Sequence, residues 1–128
     1  MRTRWLGCFG IVLGILVVSA PMLAHHANSA YDMTKTVTVT GTVTKWQVIN
    51  PHSGIWIEVK DERGNVQVWS GEFGGALDLY RHFRWNKNTF KPGDQITLTG
   101  NPSKKGGNSM HTRKVTFSDG KVVDVSGA

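Results

Sequence analysis

The sequence predicts a mainly β fold, a small barrel with one short helix, and three observations point to it. Valine and threonine alternate from Thr36 onward, turn signals recur at short intervals, and one stretch carries helical spacing between the strands. The chain has 128 residues, room for a single domain.

The first strand carries the clearest signal. Val37, Val39, Gly41 and Val43 alternate with Thr38, Thr40, Thr42 and Thr44, the pattern of a half-buried strand on which branched side chains pack well. Gly41 in mid-strand predicts a bulge or sharp bend. The strand continues through Trp46 to Ile49 and stops at the turn signal Asn50-Pro51. A second strand, Gly54 to Lys60, sets Ile55, Ile57 and Val59 on one face, and the turn Asp61 to Asn65 leads into a third, Val66 to Glu72.

Gly74-Gly75 breaks the alternation, after which Ala76, Leu77, Tyr80 and Phe83 are spaced as in a short helix. The turn Lys91-Pro92-Gly93-Asp94 opens a strand from Gln95 to Gly100. A polar loop, Asn101 to Asn108, precedes the next, Met110 to Phe117. Ser118-Asp119-Gly120 then turns the chain into a last extended piece, Lys121 to Val125. Three strands, a helix and two strands, in that order, predict a five-stranded OB-like Greek-key barrel with the helix between strands 3 and 4. An SH3-like barrel or a small sandwich shares these elements, because strand order is not written in one sequence.

Residues 1–24 are of another kind. Arg2 and Arg4 make a basic start, Leu6 to Val18 is an almost unbroken apolar run, and Pro21 with small residues leads to Ala24. That is the layout of a secretory signal peptide, too short in its apolar part for a membrane-spanning helix. The expectation is a signal peptide over 1–24, a flexible segment over 25–35, a barrel domain over 36–128, and a periplasmic or secreted protein. Cys8 lies within the leader, so the mature chain has no cysteine and a disulfide scaffold is excluded. Without Arg2 and Arg4 the balance is 13 basic to 9 acidic residues, net +4, spread along the chain. So mild a charge is thin support for a nucleic-acid partner.

Three groups of residues suggest chemistry. His25 and His26 follow Ala24, so cleavage there would place an imidazole pair at a new N-terminus, a donor set suited to copper. The structural alternative is a histidine pair at the start of a loose tail. About ten residues separate His26 from the first strand, a reach of roughly 33 Å. That is enough to bring the pair to His52, with His111 beside Met110 as a reserve ligand, whereas His82 is assigned to helix structure. Asn50-Pro51-His52 falls in the loop between strands 1 and 2, which with the loop between strands 4 and 5 borders the binding face of such barrels. The alternative for these residues is a plain turn.

The third group is tryptophan. Trp56 alternates against Ile55 and Ile57 and is expected to point outward, forming with Trp46 a stacking platform for a base, sugar or aromatic ligand. Trp69 and Trp85 are expected in the core. The predicted working surface is therefore Trp46, Asn50, Pro51, His52 and Trp56, with Lys104 and Lys105 on the neighbouring loop. No serine elbow, catalytic cysteine, phosphate loop or HExxH occurs, so a non-enzymatic binding or accessory module is expected. Its partner would be a periplasmic protein or small ligand and the chain a monomer. Copper binding, or weak polyanion or nucleic-acid binding, are the alternatives.

Several pieces together resemble a widespread family of small exported bacterial proteins of unknown function. They are His25-His26, Tyr31-Asp32, Thr36 to Trp46 with Gly41-Thr42-Val43, Asn50-Pro51-His52, and Ile55-Trp56-Ile57. Trp69 through Gly74-Gly75, Leu79 to Trp85, Lys91-Pro92-Gly93-Asp94 and Ser118-Asp119-Gly120 complete the set. The resemblance implies an exported β-barrel domain and no defined activity. Phe83-Arg84-Trp85 departs from the Gly-Trp that relatives often carry before the Lys-Pro-Gly-Asp turn.

Overall fold

The computed structural model describes residues 30–128. Its elements are β1 (Val37–Gln47), β2 (Gly54–Lys60), β3 (Val66–Glu72), α1 (Ala76–Phe83), β4 (Gln95–Pro102), β5 (Ser109–Phe117) and β6 (Val122–Asp124). Hydrogen bonding runs in the order β3-β2-β1-β4-β5-β6, and a parallel pairing of β3 with β5 closes the first five strands into a barrel. The expected five-stranded barrel with a helix between strands 3 and 4 is what forms. The late extended piece adds β6 to the outer edge of β5.

One strand serves both sides of the barrel. Val37 to Thr42 pair with β4, and Thr42 to Gln47 pair with β2, so β1 must coil as it passes from one partner to the other. The register shift that coils it falls between Val43 and Lys45, not at Gly41. Gly41 does a different job: a Cβ there would collide with the backbone carbonyl of Glu58, so only glycine lets β2 cross this closely.

Alternation fills the interior. Val43, Ile55, Ile57, Leu98 and Val115 are all essentially inaccessible, and each such side chain contributes roughly 1.5–3 kcal/mol of burial. Aromatic rings extend this core. Trp85 lies edge-on to Phe90 and Phe73, with centroids 5.1 and 6.0 Å apart, and Phe90 stacks on Phe117 at 5.2 Å. α1 has its expected bounds; Leu79 is buried, while Leu77 and Tyr80 are about half exposed at 50% and 49%. The chain leaves α1 through Arg84 in the left-handed conformation and turns directly into buried Trp85.

The start of the described chain also differs from expectation. Residues 30–35 are held rather than loose. Tyr31 is only 9% exposed and bridges to Ser103, Asp32 N–H donates to the Pro102 carbonyl (2.8 Å), and Lys104 N–H donates to the Ala30 carbonyl (2.9 Å). A buried aromatic ring and a short β-bridge hold this part of the segment expected to be flexible. Residues 25–29 of that segment lie outside the described residues.

Candidate functional site

The β1–β2 loop is fixed from beneath by one serine. Ser53 is 1% exposed, and its hydroxyl donates to the Ile49 carbonyl (3.1 Å) while accepting from the Ile49 N–H (3.3 Å). Its backbone bonds to the segment after β3, Ser53 N–H to the Gly74 carbonyl at 3.0 Å and Phe73 N–H to the Ser53 carbonyl at 2.9 Å. Gly75 lies so close to the Asn50 amide oxygen that a Cβ would meet it at 2.6 Å. The turn therefore cannot drift, and it presents His52 beside the last residue of β3.

That residue is Glu72. Its Oε1 lies 3.4 Å from His52 Nδ1, with the two side chains 46% (His52) and 31% (Glu72) exposed. Its Oε2 accepts a hydrogen bond from the Tyr31 hydroxyl at 2.8 Å. The carboxylate is thus held on both oxygens, by an imidazole from the loop and a phenol from the incoming chain. Across the parallel β3–β5 pair, Glu72 is in register with His111, whose ring lies 5.7 Å from that of Tyr31. Burial, then the Glu72 hydrogen bond and charge, push the Tyr31 phenol well above its usual pKa. Burial also lowers the pKa of His111, with the Glu72 carboxylate opposing and Arg113 and His52 assisting, so at neutral pH His111 is an uncharged imidazole.

Tyr31, His52 and Glu72 line an open cleft of about 210 Å³ with Gln47, Ser53 and Trp56 among its walls. Trp56 stands on the outer face of β2, as alternation requires. Its ring lies against Gly54, where a Cβ would meet it at 2.9 Å, and the Lys45 ammonium sits 4.5 Å from its centroid. The cleft offers one carboxylate, one accessible imidazole and an aromatic wall carrying a cation.

The structure brings His52 and Trp56 together but not Trp46. In the β1–β2 register Lys45 opposes Trp56, whereas Trp46 opposes Ile55, a fully buried residue. Trp46 therefore shares the core face and lies edge-on to Phe90 at 5.0 Å, its indole N–H donating to the Asn86 carbonyl at 2.8 Å. The predicted Trp46–Trp56 platform is corrected by that register. Trp85 is in the core and Trp69 packs against it.

Asn50 and Pro51 are exposed on the rim of the His52 turn. Lys104 and Lys105 are exposed on the β4–β5 loop, joined to the site only through the backbone bond to Ala30, and neither lines the cleft. His111 packs against Tyr31, while His25 and His26 lie outside the described residues. Among the described residues no three metal-binding side chains converge on one point.

Tyr31 and Glu72 were not singled out as site residues from sequence. The available signals were the Tyr31-Asp32 pair within the resemblance and the alternation that sets Glu72 on the same face as Ser70, the partner of Trp56.

A closed five-stranded barrel with a helix after its third strand defines an OB-type domain, and the cleft lies beside its β1–β2 loop. The chain belongs to a family of unknown function, DUF6152, whose profile matches residues 13–113. No curated protein matches it. Among solved structures it is similar to Rim1, a mitochondrial single-stranded DNA binding protein from S. cerevisiae, with 6% identity, TM-score 0.48, and coverage of 66% of this chain and 93% of that one. It is also similar to SSBb, the second single-stranded DNA binding protein of Mycobacterium smegmatis, with 15% identity, TM-score 0.43, and coverage of 66% and 88%. A tRNA fluorescent labeling enzyme matches with 15% identity and TM-score 0.44 over 67% of this chain, which spans 18% of that one. Likeness at this level carries no argument about activity.

Proposed function

We propose that this chain is an exported, non-enzymatic binding or accessory module that receives its ligand or partner at the barrel mouth. The observation that carries the reading is the convergence of Tyr31, His52, Trp56 and Glu72, from three separate stretches of chain, on one solvent-open cleft. Core formation does not require His52, which is exposed and contributes nothing to the interior. Export is supported by the leader-like residues 1–24. A binding rather than catalytic role is supported by Ser53, the hydroxyl adjoining the His52–Glu72 pair, being committed to both backbone groups of Ile49. Ser53 is therefore not free to serve that pair as a nucleophile.

Weak polyanion or nucleic-acid binding is the second reading, favoured by the Lys45 ammonium over the Trp56 ring. Glu58 and Glu72 on the same outer surface oppose it.

The test is backbone amide chemical-shift mapping of the mature protein against an oligosaccharide, a single-stranded oligonucleotide, heparin and divalent metal ions in turn. Shifts centred on Tyr31, His52, Trp56 and Glu72 are expected for at least one probe. Shifts centred elsewhere, or none at all, refute the reading. Heparin retention that falls steeply with salt would move the assignment to the polyanion reading.

A further inference from the structure

We propose that the outward face of α1 is a membrane-docking surface, on which Leu77, Tyr80, Arg81 and Arg84 meet the headgroups of an anionic phospholipid bilayer. This surface is separate from the cleft and does not depend on what the cleft binds.

The helix has two faces. Leu79 is buried and Phe83 packs against the core, which fixes the inward side. Leu77, Tyr80, Arg81 and Arg84 recur at the i, i+3, i+4 and i+7 spacing of one helical stripe, and all four are exposed. Leu77 and Tyr80 form its apolar part, and neither belongs to the core cluster. The Arg84 guanidinium lies 5.3 Å from the Tyr80 ring centroid, which places the two on one patch. An exposed leucine by itself is ordinary. A leucine and a tyrosine sharing one outward stripe with two arginines make an interfacial face.

Charge identifies what covers it. Between Asp78 and Asp94 the chain carries Arg81, His82, Arg84, Lys87 and Lys91 and no acidic residue. Arg81, Arg84, Lys87 and Lys91 are all exposed, and among the described residues none of the four is ion-paired. Asp78 is the one carboxylate on α1, and helical spacing sets it to the side of the stripe. The complementary partner is therefore anionic. A phosphate polymer matches the arginines but offers little to Leu77. A bilayer takes the apolar side chains at its headgroup boundary and the arginines at its phosphates. Tyrosine suits that boundary, with an apolar ring and a polar tip. Eight residues are too few to cross a bilayer, so α1 lies along its surface.

The experiment is co-sedimentation of the mature protein with phosphatidylcholine vesicles containing increasing amounts of phosphatidylglycerol. Binding is expected once phosphatidylglycerol is present, is absent with phosphatidylcholine alone, and weakens as added salt shortens the Debye length. Each Lys or Arg held at an anionic surface strengthens binding about fivefold, so R81Q/R84Q should weaken it about 25-fold. K60Q/R63Q removes the same charge from the far end of β2 and its turn. That end lies about 20 Å along the strand from the β1–β2 loop, whose Ile49 carbonyl accepts the Ala76 N–H of α1 at 3.1 Å. K60Q/R63Q should therefore bind as wild type does. L77S/Y80S should weaken binding at every salt concentration with the fold intact by circular dichroism, because neither side chain belongs to the core.

Equal losses in R81Q/R84Q and K60Q/R63Q overturn the inference, because net charge and not this face would then be responsible. Wild-type affinity in L77S/Y80S overturns it as well. So does retention on heparin or on a single-stranded oligonucleotide without binding to phosphatidylglycerol vesicles, which would make α1 a polyanion surface. Failure to bind any vesicle has the same consequence and leaves the reading of the cleft untouched.

Discussion

Tyr31→Phe isolates one oxygen at the centre of the site. The substitution removes the phenol that donates to Glu72 Oε2 and leaves the buried ring, its β-bridge to Ser103 and its packing on His111 in place. A hydrogen bond to a charged acceptor is worth about 1.5–3 kcal/mol, and the partial exposure of Glu72 points to the lower end, about 1.5 kcal/mol. With an unfolding entropy of about 2.1 cal/mol/K per residue, a barrel of this size loses about 7 °C in Tm for that change. Thermal and urea unfolding of both proteins at pH 7 measure it. A pH series then adds a signature that generic destabilisation does not produce. The folded-state pKa of Tyr31 is raised, so its contribution is fully present below the ordinary phenol value of 10 and is lost as pH rises towards the folded value. The gap between wild type and Tyr31→Phe should therefore narrow above pH 10. Equal stabilities at pH 7, or a gap that does not change with pH, would refute the account of the Tyr31–Glu72 pair.

Four further outcomes follow from the packing and the titrating groups. His111 has a lowered folded pKa, so its contribution is present above the ordinary histidine value of 6.5 and is lost as pH falls below it; urea midpoints should drop through that window and drop less in His111→Gln. Gly41→Val drives a side chain into the Glu58 carbonyl and should cost about 3 kcal/mol in urea unfolding, with a wild-type midpoint contradicting the close crossing of β1 and β2. Leu98→Ala leaves a hole in the barrel centre and should cost about 2–5 kcal/mol by the same measurement. Trp85→Ala should cost about 3–5 kcal/mol, whereas Trp56→Ala on the outer face should cost below about 1 kcal/mol, and comparable losses would contradict their assignment to opposite faces.

Much of the fold is legible residue by residue. The Val-Thr alternation locates β1, and the turns at Asp61 to Asn65 and Lys91 to Asp94 bound β2, β3 and β4 to within a residue or two of where they lie. The site is legible in part. Asn50-Pro51-His52 announces a loop, and alternation around Trp56 announces an outward ring, because both are local properties. Trp46 was misplaced because the register shift between Val43 and Lys45 reverses which residues face outward, and a shift of one residue is invisible to a periodicity of two.

By itself the sequence determined the strands, the helix, the turns and the cysteine-free character of the barrel, since hydrophobic period and turn chemistry act over a few neighbouring residues. Tertiary structure alone decided that Tyr31, His52 and Glu72 meet. They come from three stretches separated by 20 or more residues, and what joins them is the pairing of β3 with both β2 and β5 together with the Ser53 turn. A carboxylate shared between a phenol and an imidazole is a property of barrel closure, and no local pattern encodes it.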